Sequence, residues 1–432
     1  MYGCPLAMTD GAAKTFEELN LLENRLFSNA FAHLTSDDPQ KFWTSGQWMT
    51  EKGGGSDVAG GTETAAIRDG KESHKLYGVK WFSSATDANM ALTLARIADP
   101  EGNVIKGTRG LSLFYVPVKE NDEKIVDSIH IIRLKDKMGT RQLPTAELLL
   151  DGPKAYKMSD EGRGIASISH MLQITRIHNA ISCGSAIQRI FSLARDYAHR
   201  REAFGKKLID LPLHSQTLAR IDMIAKTQMI FAFEVRNFYS SLFQFDFYEI
   251  LFFQNVRLLG LIESGEATDQ DKHVFRILNP LAKLWTGKLT VPALSEGLEC
   301  IGGQATMEDS GIPYLLRDAQ ILVTWEGTTN VLSMDVLRSI IKSNGETIFA
   351  FKAYINKKLE KVKQNDKFKE SADKILNSLE EIIKIAEKRP QALEVAARDF
   401  SLSLSNLCVA ALLLEQTTFQ HQNLHSDILA LR

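Results

Sequence analysis

The feature that most constrains the fold is a change of hydrophobic period near residue 160. Between Lys41 and Gly152 the chain contains short apolar runs separated by turn signals such as Asp69-Gly70. The runs read LYGVKWF, ALTLARI, LSLFYVPV, IHIIRL and AELLL. Runs of this length, rich in β-branched and aromatic residues, are typical of strands. Because no long helical segment separates them, they predict an antiparallel barrel or sandwich and argue against a βαβ sheet.

Beyond Asp160-Glu161-Gly162 the apolar spacing becomes helical, which predicts a helix bundle. The predicted long helices cover Ile165 to His199, Leu211 to about Phe243, Val274 to Ile301 and Val331 to about Ser343. Helical spacing is also present from Glu17 to Leu34. The predicted fold class is α+β, with a short helical region at 1–40, a β-domain at 41–152, a helix bundle at 153–344 and a helical extension at 345–432.

Charge and hydropathy narrow the range of partners. The 51 basic and 53 acidic residues give a net charge of −2, so no general attraction to nucleic acid or acidic membranes is expected. Residues 341–432 carry 14 Lys and Arg against 12 Asp and Glu, a surplus of 2 that is too small for a nucleic-acid footprint. The apolar stretches look shorter than the roughly 18–20 residues of a membrane span, so no membrane contact is predicted.

Cysteines and histidines give no metal or disulfide pattern. The four cysteines form no CxxC pair, which predicts a reducing compartment. His421 and His425 are four residues apart but lack the glutamate of a zinc-protease helix, so no metal is predicted. The first 15 residues show no targeting peptide, and the expected location is cytoplasmic or mitochondrial.

A glycine-rich segment is the first of four motifs that could carry chemistry. It runs from Met49 to Asp57 and contains three consecutive glycines flanked by Thr50 and Ser56. Such a loop can present N–H and O–H donors to a flat heterocycle or to a phosphate. Taken alone, a Gly-Ser run is typical of an ordinary turn. The second motif, Trp81-Phe82-Ser83-Ser84, ends a predicted strand, where aromatic rings serve either a core or a cofactor wall.

The third and fourth motifs lie in the helical part of the chain. In Arg201-Glu202-Ala203-Phe204-Gly205, an Arg beside an exposed ring can hold a pyrophosphate, although a helix C-cap explains the pattern equally well. The fourth motif, Trp325-Glu326-Gly327-Thr328-Thr329-Asn330, follows the apolar run ILVT. A carboxylate beside apolar bulk is expected to have a raised pKa and to act as a base near neutral pH. An isolated Glu-Gly pair, however, is usually a cap or a solvated side chain.

The order and spacing of these motifs resemble those of the acyl-CoA dehydrogenase flavoproteins. The segments MTEKGGGSDV, GVKWFS, REAFG, ECIGG and TWEGTTNVLSMDVLR are similar to the AidB-like branch and suggest a nematode member. The resemblance covers residues 41–340 strongly and 341–432 weakly. It implies a middle antiparallel β-barrel followed by a C-terminal helix bundle. It also implies that residues 1–40 are the remnant of a larger N-terminal helical domain.

The resemblance implies an FAD-dependent oxidoreductase of fatty-acid metabolism. Glu326 would remove the α-proton of a fatty acyl-CoA thioester while the β-hydride passes to flavin N5. A homodimer or homotetramer and an electron-transfer flavoprotein as electron acceptor are also implied. Two alternatives stay open: an acyl-CoA-binding flavoprotein with little turnover, and an AidB-type flavoprotein of the alkylation response.

The resemblance assigns roles residue by residue. Contact with one face of the flavin ring is implied for Met49, Thr50 and Ser56, and cover of the other face for Phe82 and Ser84. Ser56 and Arg176 would lie near the substrate. The phosphate or adenosine end of FAD would be bound by Thr328 and Asn330. The residues that would reach FAD in a neighbouring subunit are Arg201, Phe204, Glu299 and Gly303.

One stretch departs from the family pattern. Residues 237–254 add about 18 residues, rich in aromatics, to a helix that the family runs without interruption. The flanking pairs Val235-Arg236 and Val256-Arg257 repeat. We therefore expect this stretch to be an insert produced by a splice variant or a gene-model error.

Overall fold

The computed structural model describes residues 3–120, 124–232 and 254–423, and it divides into two compact units, Met1–His178 and Asn179–Arg432. The predicted insert therefore lies almost wholly outside the described residues. The helices are α1 (Gly3–Glu18), α2 (Arg25–Leu34), α3 (Val58–Gly61), α4 (Gly164–Arg200), α5 (Pro212–Ala232), α6 (Gln254–Glu263), α7 (Asp269–Ile301), α8 (Pro313–Thr324), α9 (Thr329–Lys342), α10 (Glu346–Leu359), α11 (Asp366–Lys388) and α12 (Leu393–Asn423). The strands are β1 (Ser45–Trp48), β2 (Ala65–Arg68), β3 (Ser73–Ser84), β4 (Met90–Ile97), β5 (Leu111–Pro117), β6 (Lys119–Glu120), β7 (Lys124–Ile125), β8 (Ile129–Leu134), β9 (Thr145–Lys157), β10 (Glu202–Ala203) and β11 (Lys206–Lys207).

A closed β-barrel forms the first unit, as the sequence predicts. Strand β3 pairs antiparallel with β2 and β9, β9 pairs with β5, β5 pairs with β4, and β4 closes the ring onto β2. The barrel is antiparallel apart from two pairings, since β1 and β2 both run parallel to β4. They follow each other along the same edge, with Ser45 opposite Met90 and Ala66 opposite Ile97. The segment between them, residues 49–64, therefore bridges a gap in the barrel wall.

Strands β4 and β5 are buried on both faces. Alternate side chains of a strand point to opposite sides, so one strand can serve two cores. On β5, Phe114 and Val116 join one cluster with Trp48, whereas Leu113 and Tyr115 join a second cluster that contains residues of α1 and α2. Together the two clusters exclude water from both sides of these strands, which stabilises the sheet.

The helical spacing from Glu17 to Leu34 belongs to two helices instead of one. Asn20 adopts a left-handed φ of 52° just after α1 ends, and only short polar residues and glycine enter that region at little cost. The side chain of Asn24 then accepts a hydrogen bond from the N–H of Leu26 at 2.9 Å and caps α2. The helical spacing of apolar residues continues across the break between α1 and α2 because both helices pack on the same core.

The second unit contains the part of α4 from Asn179 onwards, helices α5 to α12 and the hairpin of β10 and β11. The predicted long helices are present as α4, α7 and α9, and α5 accounts for the described part of the segment from Leu211. Helix α7 begins with a capping box between Thr268 and Asp271 and continues through two internal prolines to Ile301. This helix contacts α5, α6, α8, α9, α10 and α12.

Helix α12 differs from the sequence expectation about apolar length. By length and composition, the stretch Pro390–Thr418 would be apolar enough to cross a membrane, and half of its most apolar window is buried inside the protein. Buried side chains recur along it at Phe400, Leu404, Cys408 and Leu412. A spacing of four residues is that of a helix packed along one face, so the helix fits a role in the bundle core.

Candidate functional site

The glycine-rich loop of the first unit folds back on itself across the gap in the barrel wall. The carbonyl of Thr50 accepts a hydrogen bond from the N–H of Trp81 at 2.8 Å, which ties the start of the loop to β3. A Cβ atom added to Gly61 would overlap the backbone of Gly54, so this crossing needs glycine. Asp57 caps the short α3 by accepting from the N–H of Gly60 at 2.9 Å. The loop is therefore fixed by its backbone, and its hydroxyl side chains are left to contact a ligand.

A buried ion pair, which the sequence analysis missed, holds this loop from beneath. Lys80 of β3 is fully buried, and its Nζ lies 2.6 Å from Oε1 of Glu51, which is 5 % exposed. Lys80 also donates to the carbonyl of Leu94 at 2.9 Å. Glu51 accepts further hydrogen bonds from the N–H of Glu63 at 2.7 Å and from the hydroxyl of Thr64 at 2.5 Å. One carboxylate thus joins both ends of the loop to the barrel.

The two pKa values of this pair follow from burial and from mutual attraction. Burial alone raises the pKa of Glu51, but the charge and the hydrogen bond of Lys80, with those from Thr64 and Glu63, outweigh it and leave the pKa below its ordinary value. Burial lowers the pKa of the Lys80 ammonium, and the negative charge of Glu51 partly restores it. Each partner therefore favours the charged form of the other.

Aromatic and hydroxyl side chains lie at the end of β3. The ring of Phe82 is 49 % exposed, and Trp81 beside it is half-buried. The Nζ of Lys135 lies 3.2 Å from the centroid of the Trp81 ring and 4.9 Å from that of Phe82, a cation–π arrangement that the sequence analysis missed. The hydroxyl of Ser84 lies 2.9 Å from that of Thr145. Phe82 therefore offers a flat apolar surface with a cation beside it.

The first unit has the donor set that a flavin ring requires. Ser56 is exposed and Thr50 is half-buried, and the space around Gly55 is open. Met49, at the start of the loop, is 8 % exposed. A flavin ring combines a flat apolar face with polar atoms along one edge, and an exposed phenyl ring with neighbouring hydroxyl and N–H donors matches both. Arg176, on α4 of the same unit, is half-buried.

In the second unit, the Glu326 motif forms the tight turn between α8 and α9. Glu326 is half-buried and adopts a left-handed φ of 57°, and Gly327 follows at 106°. The ammonium of Lys283 donates to the carbonyl of Gly327 at 2.6 Å and to that of Val323 at 3.2 Å. The amide of Asn179 donates to the carbonyl of Leu322 at 3.1 Å. The backbone that carries the Glu326 carboxylate is therefore held by side chains of two helices, α7 and α4.

The residues assigned to the phosphate end of FAD lie where α9 begins. Thr328 is the N-cap of this 14-residue helix, and its hydroxyl accepts from the N–H of Val331 at 3.4 Å. Asn330 is exposed in the first turn. The N–H groups and the positive dipole end of a helix of this length favour a phosphate.

The REAFG segment is a hairpin turn, and the alternative prediction of a helix C-cap is wrong. Helix α4 ends at Arg200, and β10 and β11 then pair across Phe204 and Gly205. Both turn residues have positive φ, 55° and 75°, which defines a two-residue hairpin turn. The ring of Phe204 is 93 % exposed. Positive φ is uncommon for a bulky residue, so this turn holds an aromatic ring in solvent at a cost in strain.

The other residues predicted to reach a neighbouring subunit also lie on the surface of the second unit. Arg201 is exposed just before the hairpin, and Glu299 and Gly303 are exposed around the end of α7. The predicted site residues thus fall into two groups, one in each unit. Among the described residues, no group of three or more His, Cys, Asp or Glu side chains could hold a metal ion.

The features described above are an exposed aromatic ring beside hydroxyl donors, a helix start suited to a phosphate and a carboxylate on a firmly held turn. They are the features expected of a flavoprotein that removes a carbon-bound proton. Family profiles agree: "Acyl-CoA dehydrogenase, middle domain" matches residues 46–152, and "Acyl-CoA dehydrogenase, C-terminal domain" matches residues 162–235 and 254–341. A third profile, "Acyl-CoA dehydrogenase 11 C-terminal domain-like", matches residues 346–432. The second profile skips residues 236–253, which overlap the insert expected at 237–254.

Two curated relatives and one solved structure are similar to this chain over most of its length. Acyl-CoA dehydrogenase family member 11 from Caenorhabditis elegans is 44 % identical over 99 % of this chain and 67 % of its own length. The putative acyl-CoA dehydrogenase AidB from Escherichia coli is 30 % identical over 82 % of this chain and 60 % of its own length. The crystal structure of Caenorhabditis elegans ACDH-11 in complex with C11-CoA superimposes with a TM-score of 0.90 at 43 % identity, covering 97 % of this chain and 68 % of that one.

The chain belongs to the acyl-CoA dehydrogenase family, the FAD-dependent oxidoreductases that dehydrogenate acyl-CoA thioesters. The matches confirm the predicted family, fold class, enzyme class and cofactor. The chain spans about two thirds of the nematode relative and 60 % of the bacterial one.

Proposed function

We propose that Glu326 is the catalytic base that removes the α-proton of a fatty acyl-CoA. The observation that carries this proposal is the turn between α8 and α9, where a half-buried carboxylate is held in a left-handed conformation by buried polar side chains. A base must be aimed at a carbon-bound proton, and a fixed backbone provides that aim. The substrate class is supported by the nematode relative, whose crystal structure contains C11-CoA.

We also propose that the flavin ring is held by the glycine-rich loop and by the end of β3. Thr50 and Ser56 would donate hydrogen bonds along the ring edge, Phe82 would cover one face, and Thr328 and Asn330 would bind the phosphate end. Met49 and Ser84 would add smaller contacts, because Met49 is largely buried and the hydroxyl of Ser84 is already paired with that of Thr145. FAD, when bound, supplies the acceptor for the β-hydride.

The chain's own contribution to the reaction is placement and electrostatics. An α-proton of a thioester is weakly acidic, so hydrogen-bond donors at the thioester oxygen must stabilise the charge that develops there. Ser56 and Arg176 are the candidates for substrate contact in the first unit. Glu326 would take up the proton at its carboxylate.

An anaerobic absorbance titration tests this function. We expect the purified chain to show a flavin band that bleaches on addition of acyl-CoAs, with C11-CoA among the lengths tested and free CoA as the control. A band that shifts without bleaching would favour the acyl-CoA-binding alternative over the dehydrogenase. Absence of a flavin band in the purified chain would contradict the proposed cofactor site.

We propose a homodimer or homotetramer in which the Phe204 hairpin contacts FAD of a neighbouring subunit. The support is a phenyl ring 93 % exposed on a turn of unfavourable φ, followed by the basic pair Lys206-Lys207. Such a ring has no packing partner of its own, and stacking would recover that cost. Arg201, Glu299 and Gly303 would complete the contact. An electron-transfer flavoprotein is the proposed electron acceptor.

Phe204→Ser is expected to weaken FAD retention about tenfold and to shift the protein towards smaller oligomers. A lost aromatic contact of about 1.4 kcal/mol, near the upper end for a stacked pair, accounts for this factor. Flavin content after gel filtration and light scattering measure the two effects. Val395→Ser is the matched control, because Val395 is an exposed apolar side chain elsewhere in the second unit, 92 % exposed on α12. Unchanged FAD retention in Phe204→Ser would contradict the proposed contact.

Three further assignments are proposals. Membership of the AidB-like branch, as a nematode member, is supported by the 30 % identity to AidB and by the 44 % identity to the nematode relative. A cytoplasmic or mitochondrial location is supported by four cysteines without a disulfide bond. The domain division at 1–40, 41–152, 153–344 and 345–432 is supported by the profile boundaries.

A further inference from the structure

Lys283 is an unusual residue for the middle of a packed helix. It belongs to α7, its side chain is 1 % exposed, and its neighbours Ala282 and Leu284 are buried. An ammonium group loses its hydration when it is buried, which destabilises the fold unless protein groups replace the water. Such a cost is sustained only where the charge makes specific contacts, and two of those contacts are backbone carbonyls of the turn that carries Glu326.

The two carbonyls bracket the proposed base. Val323 lies three residues before Glu326 and Gly327 follows it directly, so one ammonium joins the end of α8 to the far side of the turn. The carboxyl end of a helix carries partial negative charge, which attracts a cation. Lys283 and Asn179 therefore hold the backbone on both sides of the turn from two different helices, α7 and α4.

The turn needs this support because its backbone conformation is unfavourable. A left-handed φ is unfavourable for a residue with a side chain, because its Cβ crowds the backbone carbonyl oxygen. Gly327 avoids the cost at its own position, but Glu326 does not. If the contacts to Val323 and Gly327 were lost, Glu326 could relax to a negative φ, and its Cβ and carboxylate would then point in another direction.

We propose that Lys283 is a positioning residue for the catalytic base: by holding the carbonyls of Val323 and Gly327, it fixes the left-handed conformation that directs the carboxylate of Glu326. This inference rests on the proposed role of Glu326. Lys283 itself need not touch the substrate or the flavin. Its effect on the reaction passes through the backbone of the turn.

The test compares Lys283→Met, which keeps the length and apolar stem but removes the charge and all donors, with Lys283→Gln, which keeps a neutral donor. Lys288→Met is the matched control, since Lys288 is an exposed lysine on the same helix. Amide hydrogen exchange of the peptide 322–330 is measured in the purified proteins without substrate. The turnover number and KM for an acyl-CoA are measured on the same preparations.

We expect Lys283→Met to exchange about tenfold faster in 322–330, with the remainder of α9 unchanged, because a buried hydrogen bond to a charged donor is lost. The turnover number should fall up to about 10²-fold while KM changes little, since misplacement of a base affects the reaction more than binding. Lys283→Gln should lie between Lys283→Met and the wild type. Lys288→Met should match the wild type in both measurements.

Two results would overturn the proposal. In the first, exchange in 322–330 stays at the wild-type rate in both Lys283 variants. In the second, exchange rises equally throughout the second unit, which would mean that Lys283 serves stability alone. The exchange measurement needs no turnover, so it decides whether Lys283 holds the turn even if the wild-type chain fails to bleach. Such a failure would count against the proposed function alone.

Discussion

Glu326→Gln is expected to lower the rate of flavin bleaching by an acyl-CoA by roughly 10²–10⁴, the usual contribution of a general base. Gln has nearly the shape of Glu, and a φ of 57° is about equally unfavourable for both residues, so the turn should keep its geometry. The amide cannot take up the α-proton at neutral pH. Stopped-flow absorbance under anaerobic conditions measures the rate, and the spectral shift on mixing measures binding, which should change little.

Two controls define this result. Glu387→Gln makes the same chemical change at an exposed position of α11 and should bleach at the wild-type rate. Glu326→Asp keeps a carboxylate on a shorter side chain and should lie between the wild type and Glu326→Gln. Bleaching at the wild-type rate in Glu326→Gln would show that another group removes the proton.

Local patterns in the sequence predicted the architecture well. Apolar runs of strand length marked β3, β4, β5, β8 and β9, and helical spacing marked α4, α7 and α9 nearly to their ends. The parallel pairing of β1 and β2 with β4 could not be predicted, because pairing partners distant in sequence leave no periodic signal. The hairpin at Phe204 was also missed, since its turn conformation is unusual for a phenylalanine.

The site was predicted as a set of ligand-facing residues, whereas the side chains that support them were missed. Glu51 and Lys80 are 29 residues apart, and Lys283 is 44 residues from Gly327. A signal was nevertheless present. Lys80 occupies an inward position of a strand, two places from Gly78 and four from buried Leu76, and Lys283 interrupts a continuous apolar run. A lysine where the pattern demands an apolar residue indicates a buried charge with partners, and such charges cluster at functional sites.

Breaking the ion pair beneath the glycine-rich loop should have the second large effect. Lys80→Met leaves the carboxylate of Glu51 buried without its cation, and Glu51→Gln leaves the ammonium of Lys80 without its anion. Removal of one partner of a buried pair costs about 3–5 kcal/mol. We expect either variant to unfold at a lower denaturant concentration. Either should also retain less FAD, because the Glu51 carboxylate holds both ends of the loop that would contact the flavin. Lys374→Met, which breaks the exposed pair with Glu370, should change neither property.

The double variant and the pH dependence separate charge from packing. Glu51→Gln combined with Lys80→Met removes both charges of the pair, so it should lose less stability than either single variant. The guanidinium of Arg96, which also interacts with Glu51, keeps its hydrogen bonds to backbone carbonyls. In the wild type the pKa of Glu51 is below its ordinary value of 4.5, so the stability that the pair contributes is present above pH 4.5 and is lost as the pH falls through the lowered pKa.

In Lys80→Met, burial without the cation should raise the pKa of Glu51 instead. A carboxyl group with a raised pKa is tolerated when protonated and destabilises the fold when ionised. The penalty of Lys80→Met should therefore be largest near pH 7 and shrink as the pH falls towards 4.5, as followed by denaturant unfolding at several pH values. A penalty of equal size at pH 7 and pH 5 would mean that the variant acts through lost packing alone. In that case packing, and not the charge of the ion pair, would hold the loop in position, and Glu51→Gln should bind FAD as well as the wild type does.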